Sequence, residues 1–381
     1  MPDQRADITV VGLGAVGSGA VYRLAQRGLS VAGIERFAPG HDRGSSHGLT
    51  RVIRKAYFEA PDYVPLLERA YELWDEIEDT SGEEIFLRTG VLEVGPPNGE
   101  VVPGVLRAAK EHNLDVHPLE SGEIEDRFPG FRVPAHLSGV FEADGGILKV
   151  ERCVELQAEL ARQKGAQLRT NTSVQRIERV GSGYRLHTNN GILSTGALIV
   201  TAGAWAQRLI PELNPHLKVL RKVLLWYNVN KGGPSYKREE HSPVFLFELP
   251  EGVFYGFPVL DELGLKLAEH SGGNPVSDPL KLDRALYPAD HAPVEGFLKE
   301  YMPNVDPRLP TKHAVCMYTI SPDLHPIAGR HPGEENLFFA AGLSGHGFKF
   351  STALGEALAD LATDGSSRVP MDIFKPDRFL A

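Results

Sequence analysis

The sequence predicts an α/β (α+β) protein: a Rossmann-like domain assembled from separated pieces of chain, with a second domain inserted among them. Three observations carry this reading. A glycine fingerprint between two apolar strands stands at residues 8–35. Two further strand-and-glycine units, "GALIVTAGAW" and "NLFFAAGLSGHGFKF", lie far downstream and are suited to rejoin the first sheet. A length of 381 residues is too great for one small core, and the intervening segments are rich in short strand patterns.

The elements follow in order. In "ITVVGLGAVGSGAVYRLAQRGLSVAGIE" an apolar strand from Ile8 to Val11 runs into Gly12-x-Gly14-x-x-Gly17, and a helical pattern continues through Ala20, Leu24 and Ala25. Gly28 can end that helix, and "LSVAGIE" makes a second strand closing on Glu35, 18 residues beyond Gly17. In this geometry the glycines supply a tight turn, close approach of the backbone to a pyrophosphate, and close helix–strand packing. The helix N-terminus faces phosphates with free N–H groups, and Glu35 is placed to accept hydrogen bonds from a ribose. A lone fingerprint is weak evidence. Strand, helix, second strand and terminal acid together outweigh a turn of purely structural use.

A helix is expected from Asp62 to Thr80, where Val64, Leu67, Ala70, Tyr71 and Trp74 recur as one buried stripe. In "ERCVELQAELA", Cys153 shares an apolar helix face with Leu156 and Leu160 and reads as core. "GALIVTAGAW" (Gly196 to Trp205) is a buried strand ending in a glycine turn. The last unit is a strand, a glycine turn and a helix with Ala353, Leu354, Ala357, Leu358 and Leu361 on its apolar positions. The fingerprint alone does not choose between NAD and FAD. Its place at the extreme N-terminus, with the second return so far downstream, leans towards FAD.

Composition narrows the class. The chain is 42% hydrophobic and 24% charged, with a net charge of −10, which speaks against nucleic acid or an anionic membrane as partner. No apolar run is long enough to span a bilayer. "MPDQRADITVVGLG" passes straight into a strand pattern, unlike a secretory signal, and "DRFLA" is no peroxisomal address. Two cysteines make no disulfide framework, so a reducing cytoplasm is expected. There is no HExxH, CxxC, GxSxG or Walker loop. "HAVC" sets a His and a Cys three apart with no further cluster, a poor zinc site, and no metal is expected.

"HAVCMYT" then poses a question about Cys316. In a strand, Ala314, Cys316 and Tyr318 share one side, and Val315, Met317 and Thr319 the other. Free cysteine is often a small buried hydrophobe, so the residue alone leaves a core role and a reactive role open.

The blocks "SSHGLTRVIRKAY", "FYGFP", "GLKLAEH", "AVCMYT" and "GLSGHGFKFS", in this order after the N-terminal fingerprint, closely resemble the monomeric sarcosine oxidase and N-methyl-amino-acid oxidase family of flavoproteins. The resemblance covers nearly the whole chain. It implies FAD, joined through a thioether from Cys316 to the ring's 8-methyl carbon, and oxidation of a secondary (N-methyl) amino acid, most readily sarcosine. The imine formed would hydrolyse to amine and formaldehyde, with oxygen reduced to hydrogen peroxide. A bulkier N-methyl amino acid, a cyclic amine such as proline or pipecolate, or a dehydrogenase using another acceptor remain alternatives. The partners implied are a small secondary amine carboxylate and O2, and the family suggests a monomer.

Carried over residue by residue, the resemblance puts Arg54 and Lys349 on the substrate carboxylate, a role the planar fork of Arg suits. It puts Arg51 near the flavin and gives Lys266 the assistance of oxygen reduction. Arg51 and Arg54, three apart, face opposite ways in a strand register, so they should serve different neighbours. Any one of these cations taken alone reads more simply as a solvated surface charge, and Lys266 as an outward-facing lysine of an alternating strand. His47, Tyr255, His270 and Tyr318 join the catalytic group, with Leu246 and His346 lining the substrate pocket. Histidines in glycine turns are more often structural than catalytic. Cofactor contacts are implied at Gly12, Gly14, Gly17, Glu35, Arg36, Ser45, Thr50, Val174, Gly203, Gly345, Gly347 and Lys349. The glycine-rich start of the last helix would also bring backbone N–H groups to the flavin's pyrimidine edge. Departures concern the substrate: the family's loop commonly reads "SHHGDTR", where this chain has Ser46 and Leu49, and Leu246 stands where a methionine is common.

The expected domains are an FAD-binding domain from 1–57, 147–218 and 321–381, and a substrate domain from 58–146 and 219–320 on a mixed or antiparallel sheet roofing the flavin.

Overall fold

The computed structural model describes residues 4–234, 236–308 and 310–380. The strand Gln4–Val11 lies in an eight-stranded sheet, parallel to Val31–Ile34 on one side and to Gly191–Val200 on the other. Gln167–Arg169 extends the sheet beyond Val31–Ile34, and Leu337–Ala341 pairs parallel with the end of Gly191–Val200. Both downstream units therefore return to the first sheet. Their near-continuous apolar runs suit strands covered on both faces. A hairpin, Val174–Val180 with Gly183–Thr188, and the antiparallel strand Ile327–Arg330 complete the sheet.

Helices Ala15–Gln26, Val150–Gln163 and Ser351–Asp364 pack into one apolar core with Cys153, which is fully buried. The first and last of these helices approach closely because glycine faces backbone: a Cβ on Gly355 would lie 2.6 Å from Ala20 N. The expected helix at Asp62–Thr80 runs from Val64 to Ser81. Pro61 opens a 3-10 turn over Pro61–Tyr63 ahead of it, and Gly82, at φ 73°, ends it. All five residues of its predicted stripe are buried.

The second large sheet has nine strands and is mixed. Val244–Leu249 runs parallel to Val91–Gly95, while the other named pairs are antiparallel. Strand alternation gives it two unlike faces. One buries Phe245, Phe247 and Phe254 against Phe297 of the helix Pro288–Tyr301. On the other, the register aligns Glu93, Leu246, Tyr255 and Ala268 across successive strands. The same face continues through Leu224, Trp226, Cys316 and Tyr318, which pack together. Met317 points the opposite way, into a cluster with Ala204 and Val219. A three-stranded sheet, Thr50–Ile53, Gly146–Lys149 and Phe86–Arg88, carries Arg51. Among the described residues no helix is long and apolar enough to cross a membrane.

Candidate active site

The first sheet opens at its glycine turn into a cavity of about 390 Å³. Gly12, Gly14, Glu35, Arg36, Ser45, Val174, Gly203, Gly345 and Gly347 line it, with Arg51 and Tyr318 at the side of the second sheet. Gly17 does not line it. A Cβ there would lie 1.8 Å from Gly12 O, so this glycine is what lets the turn close under the N-terminus of Ala15–Gln26. Glu35 ends the second strand with Oε2 accepting from Leu13 N (2.8 Å) and Oε1 from Phe37 N (3.0 Å). Burial works against its charge, but the His41 side chain and these amides hold the carboxyl below its ordinary range. A tight turn, a helix N-terminus and a fixed acid are what a dinucleotide's pyrophosphate and ribose require.

Beside the cavity, the polar end of the second sheet's inner face is crowded with cations. Lys266 is 3% exposed, which removes the outward-facing alternative. Its Nζ donates to Gly48 O (2.7 Å), Thr50 O (2.9 Å) and Thr50 Oγ1 (2.8 Å), and lies 4.6 Å from the Phe257 ring centroid. Burial, reinforced by Arg51, holds its ammonium well below the usual lysine range. Thr50 thus meets Lys266 and does not line the cavity. Arg51 donates to Thr50 O and Ser45 O. His47 is buried, its Nε2 meeting no hydrogen-bond partner among the described residues, and burial with Arg51 and Arg284 pushes it down to about 3. Cys316 is buried too. Burial raises its thiol while Arg51, Lys266 and Lys222 pull the other way. Lys222, absent from the sequence reading, is the register partner of Cys316, and its Nζ donates to the carbonyls of His270, Ser271 and Gly272.

Arg54 leaves the strand Thr50–Ile53 on a different course from Arg51, as the register requires. It is 3% exposed. Nη1 donates to Ala56 O (2.9 Å), Nη2 to Glu59 Oε2 (2.9 Å), and Nε lies 3.2 Å from Glu93 Oε1. The rings of Tyr57 and Phe58 flank it at 4.5 Å. Lys349 lies in the 3-10 turn Gly347–Phe350, its Nζ donating to His346 O (2.8 Å) and Tyr57 Oη (3.4 Å). Burial and the neighbouring Arg54 push this lysine down to about 7. Tyr57 Oη in turn meets His346 Nδ1, and His346 Nε2 donates to Leu324 O (2.9 Å), which fixes the tautomer. Burial lowers His346 to about 4 and His270 to about 3, so both are neutral at physiological pH. His270 Nδ1 lies 3.3 Å from Tyr318 Oη, and Tyr255 meets His270 edge-on. Leu246, half-buried, stands between Glu93 and Tyr255 on the same face.

The sequence reading missed Tyr57, Glu59, Glu93, Glu142 and Lys222. Glu59 and Tyr57 belong to an irregular stretch, where no periodicity marks a site. Glu142 accepts from Lys55 N (2.8 Å) and Ala56 N (2.9 Å), so it shapes the bend after Arg54. Glu93 had a signal: an acid inside the apolar run "GVLEVG".

Residues 7–361 match the model of the FAD dependent oxidoreductase family. The monomeric sarcosine oxidase of Bacillus sp. (strain B-0618) is 39% identical over 376 residues, 98% of this chain and 96% of that protein. The N-methyl-L-tryptophan oxidase of Yersinia pestis (strain Pestoides F) is 36% identical over 375 residues, 98% of this chain and 99% of that one. Among solved structures, the L-proline dehydrogenase from P. horikoshii superposes with a TM-score of 0.84 at 22% identity, covering 99% of this chain and 98% of that one, a likeness of fold.

Proposed function

The chain belongs to the FAD-dependent oxidoreductase family, and from that premise we propose that it oxidises a secondary (N-methyl) amino acid of the sarcosine type, with oxygen as acceptor. One observation adds to what family membership alone supports: two buried cations, Arg54 and Lys349, converge on the same Tyr57 ring, at 4.5 and 5.0 Å from its centroid. Burying such charges is costly without a use or a partner. Among the described residues, Lys349 donates only to neutral acceptors, a carbonyl and a phenol, so it has capacity for an incoming carboxylate.

When bound, FAD supplies the redox chemistry, taking two electrons from the carbon beside nitrogen and returning them to oxygen as hydrogen peroxide. The chain's own residues bind and orient. Arg54 and Lys349 hold the carboxylate, Tyr255 and Tyr318 present ring faces, and neutral His270 and His346 fix Tyr318 and Tyr57 without competing for charge. Leu246 limits the room beside the substrate. Lys266, caged near Cys316, places positive charge where reduced oxygen would gain it, with Arg51 and His47 beside it. Cys316 is proposed to carry the flavin covalently. Gly12, Gly14, Glu35, Arg36, Ser45, Val174, Gly203, Gly345 and Gly347 are proposed to hold the cofactor, with Gly17 closing the turn beneath it and Thr50 holding Lys266. We place the domain boundaries at 1–57, 147–218 and 321–381 against 58–146 and 219–320. The strand membership of the two large sheets supports this division, while residues 1–3, 235, 309 and 381 lie outside the described residues. The protein is proposed to act as a cytoplasmic monomer.

Hydrogen peroxide release from the purified protein tests the reading against sarcosine, longer N-methyl amino acids, L-proline, L-pipecolate and glycine. A response to one secondary amine, with glycine silent, is expected. Yellow protein silent across the panel would overturn the substrate class or the acceptor. Denaturing mass spectrometry tests the linkage: flavin-replete protein with an unmodified chain mass would rule it out.

A further inference from the structure

Arg54 carries two acids where one would neutralise it. The strand Val91–Gly95 sends Leu92 and Val94 into the aromatic core of the second sheet and Glu93 to the opposite face, in register with Leu246. Glu93 is 1% exposed, and its Oε1, 3.2 Å from Arg54 Nε, accepts no hydrogen bond from any described residue. Glu59 takes the other edge of the guanidinium at 2.9 Å. A buried carboxylate is tolerated only with a well-placed counter-charge, and one guanidinium cannot serve both. The two acids divide accordingly. Glu59 is drawn down to about 2 because Arg54, His346 and Lys349 outweigh its burial. Glu93 is pushed up to about 8 by burial, aided by Glu142 and Glu59, against the pull of Arg54 and Lys349.

We propose that Glu93 is a positioning residue of the carboxylate clamp: it occupies the Nε–H of Arg54 while Ala56 O and Glu59 each take one N–H of the two Nη groups, so that an incoming carboxylate is left the remaining Nη N–H groups and is held only while Glu93 is uncharged. The inference rests on the reading of Arg54 and Lys349 as that clamp. The groups facing Glu93 are Arg54 and Glu59 on the stretch after Thr50–Ile53, Glu142 on the adjacent strand Ser138–Glu142, and Lys349 on the turn Gly347–Phe350. An arriving carboxylate adds a further negative charge to this set. With Glu93 ionised, three anions, Glu93, Glu59 and the incoming carboxylate, would share the cations Arg54 and Lys349 in a buried site, where like charges repel strongly. Glu93 therefore takes up a proton when a carboxylate binds above its titration point. Carboxylate binding is therefore favoured at neutral and mildly acidic pH.

The test is a titration of the holoenzyme with acetate, an unreactive monocarboxylate, followed by the flavin absorbance change from about pH 6 to about pH 9. Lys349 also weakens binding as it loses its proton, so the comparison is between wild type and Glu93→Gln, which retains Lys349. Above about pH 8 wild-type affinity should fall more steeply than that of Glu93→Gln, the two slopes differing by up to tenfold per pH unit. The variant should bind acetate about tenfold tighter than wild type at about pH 9 and equally below about pH 7. Superimposable profiles, or a variant weaker at every pH, would overturn the proposal. If Glu93→Gln does not fold, Glu93→Met gives the same comparison. Failure of the clamp reading has a different signature: wild type that binds acetate at no pH, or an Arg54→Met variant that binds it as well as wild type does.

Discussion

Lys266 Nζ donates to both oxygens of Thr50, the backbone carbonyl at 2.9 Å and the side-chain hydroxyl at 2.8 Å. The lysine is thereby pinned by neutral acceptors, with Phe257 and Trp226 rings beside it. Lys266→Met keeps the length and loses the charge. Flavin reduction by substrate under nitrogen should persist within a few-fold, while reoxidation by oxygen slows by roughly 10²-fold or more, the scale of losing one preorganised electrostatic group. Stopped-flow absorbance separates the two half-reactions. Equal loss in both would remove the proposed role.

Arg54→Lys tests the clamp from its other side. A lysine cannot reach Ala56 O, Glu59 and Glu93 together as the planar fork does. A loss of about 3 kcal/mol in carboxylate binding is expected, roughly a hundredfold in KM. Steady-state kinetics on the best substrate of the panel would show it, and an unchanged KM would contradict it.

Stability should also report the two acids on Arg54, with opposite signs. Glu59 has a folded-state value of about 2, below its ordinary 4.5, so its contribution is present above pH 4.5 and is lost as pH falls towards 2. Glu93 has a folded-state value of about 8, so the folded chain keeps a proton that the unfolded chain has released, and stability drains away as pH rises from 4.5 to 8. Thermal melts of wild type and Glu93→Gln should diverge in the variant's favour over that interval. Parallel curves would mean that Glu93 ionises normally.

Gly17→Ala should weaken both fold and cofactor retention. The added Cβ meets Gly12 O at 1.8 Å and Thr201 Oγ1 at 2.5 Å, so the turn must open. Overpacking of this kind costs about 1–3 kcal/mol. The ratio of flavin to protein absorbance after dialysis, with the melting temperature, measures it.

Much of the first sheet was legible because its strands are covered on both faces and write themselves as unbroken apolar runs between glycine turns, as in Ile8–Val11 and Leu337–Ala341. Cys316 and Tyr318 were legible by simple alternation. The substrate pocket was less so. Arg54 draws its partners from two places: Tyr57 and Glu59 from the irregular stretch bent by Glu142, and Glu93 from a strand whose neighbour is Val244–Leu249. The first carries no periodicity, and the second is brought up by packing between distant segments, which no local pattern records. Lys222 was hidden for the same reason, since only the pairing of Lys218–Tyr227 with Lys312–Ile320 brings it opposite Cys316.

The order in which the first sheet is threaded has a consequence for how the protein is made. Ile8 leaves the ribosome well before its partner Ala197, which follows roughly 10–40 s later at ordinary rates of synthesis. Leu337–Ala341 and the turn holding Gly345 and Gly347 follow later still. The apolar strand Gln4–Val11 therefore waits, unsealed on one edge, until Gly191–Val200 has been made. The cavity lined by Gly12, Gly345 and Gly347 is complete only once that last turn has emerged, which makes flavin supply and chaperone protection of the growing chain joint determinants of yield.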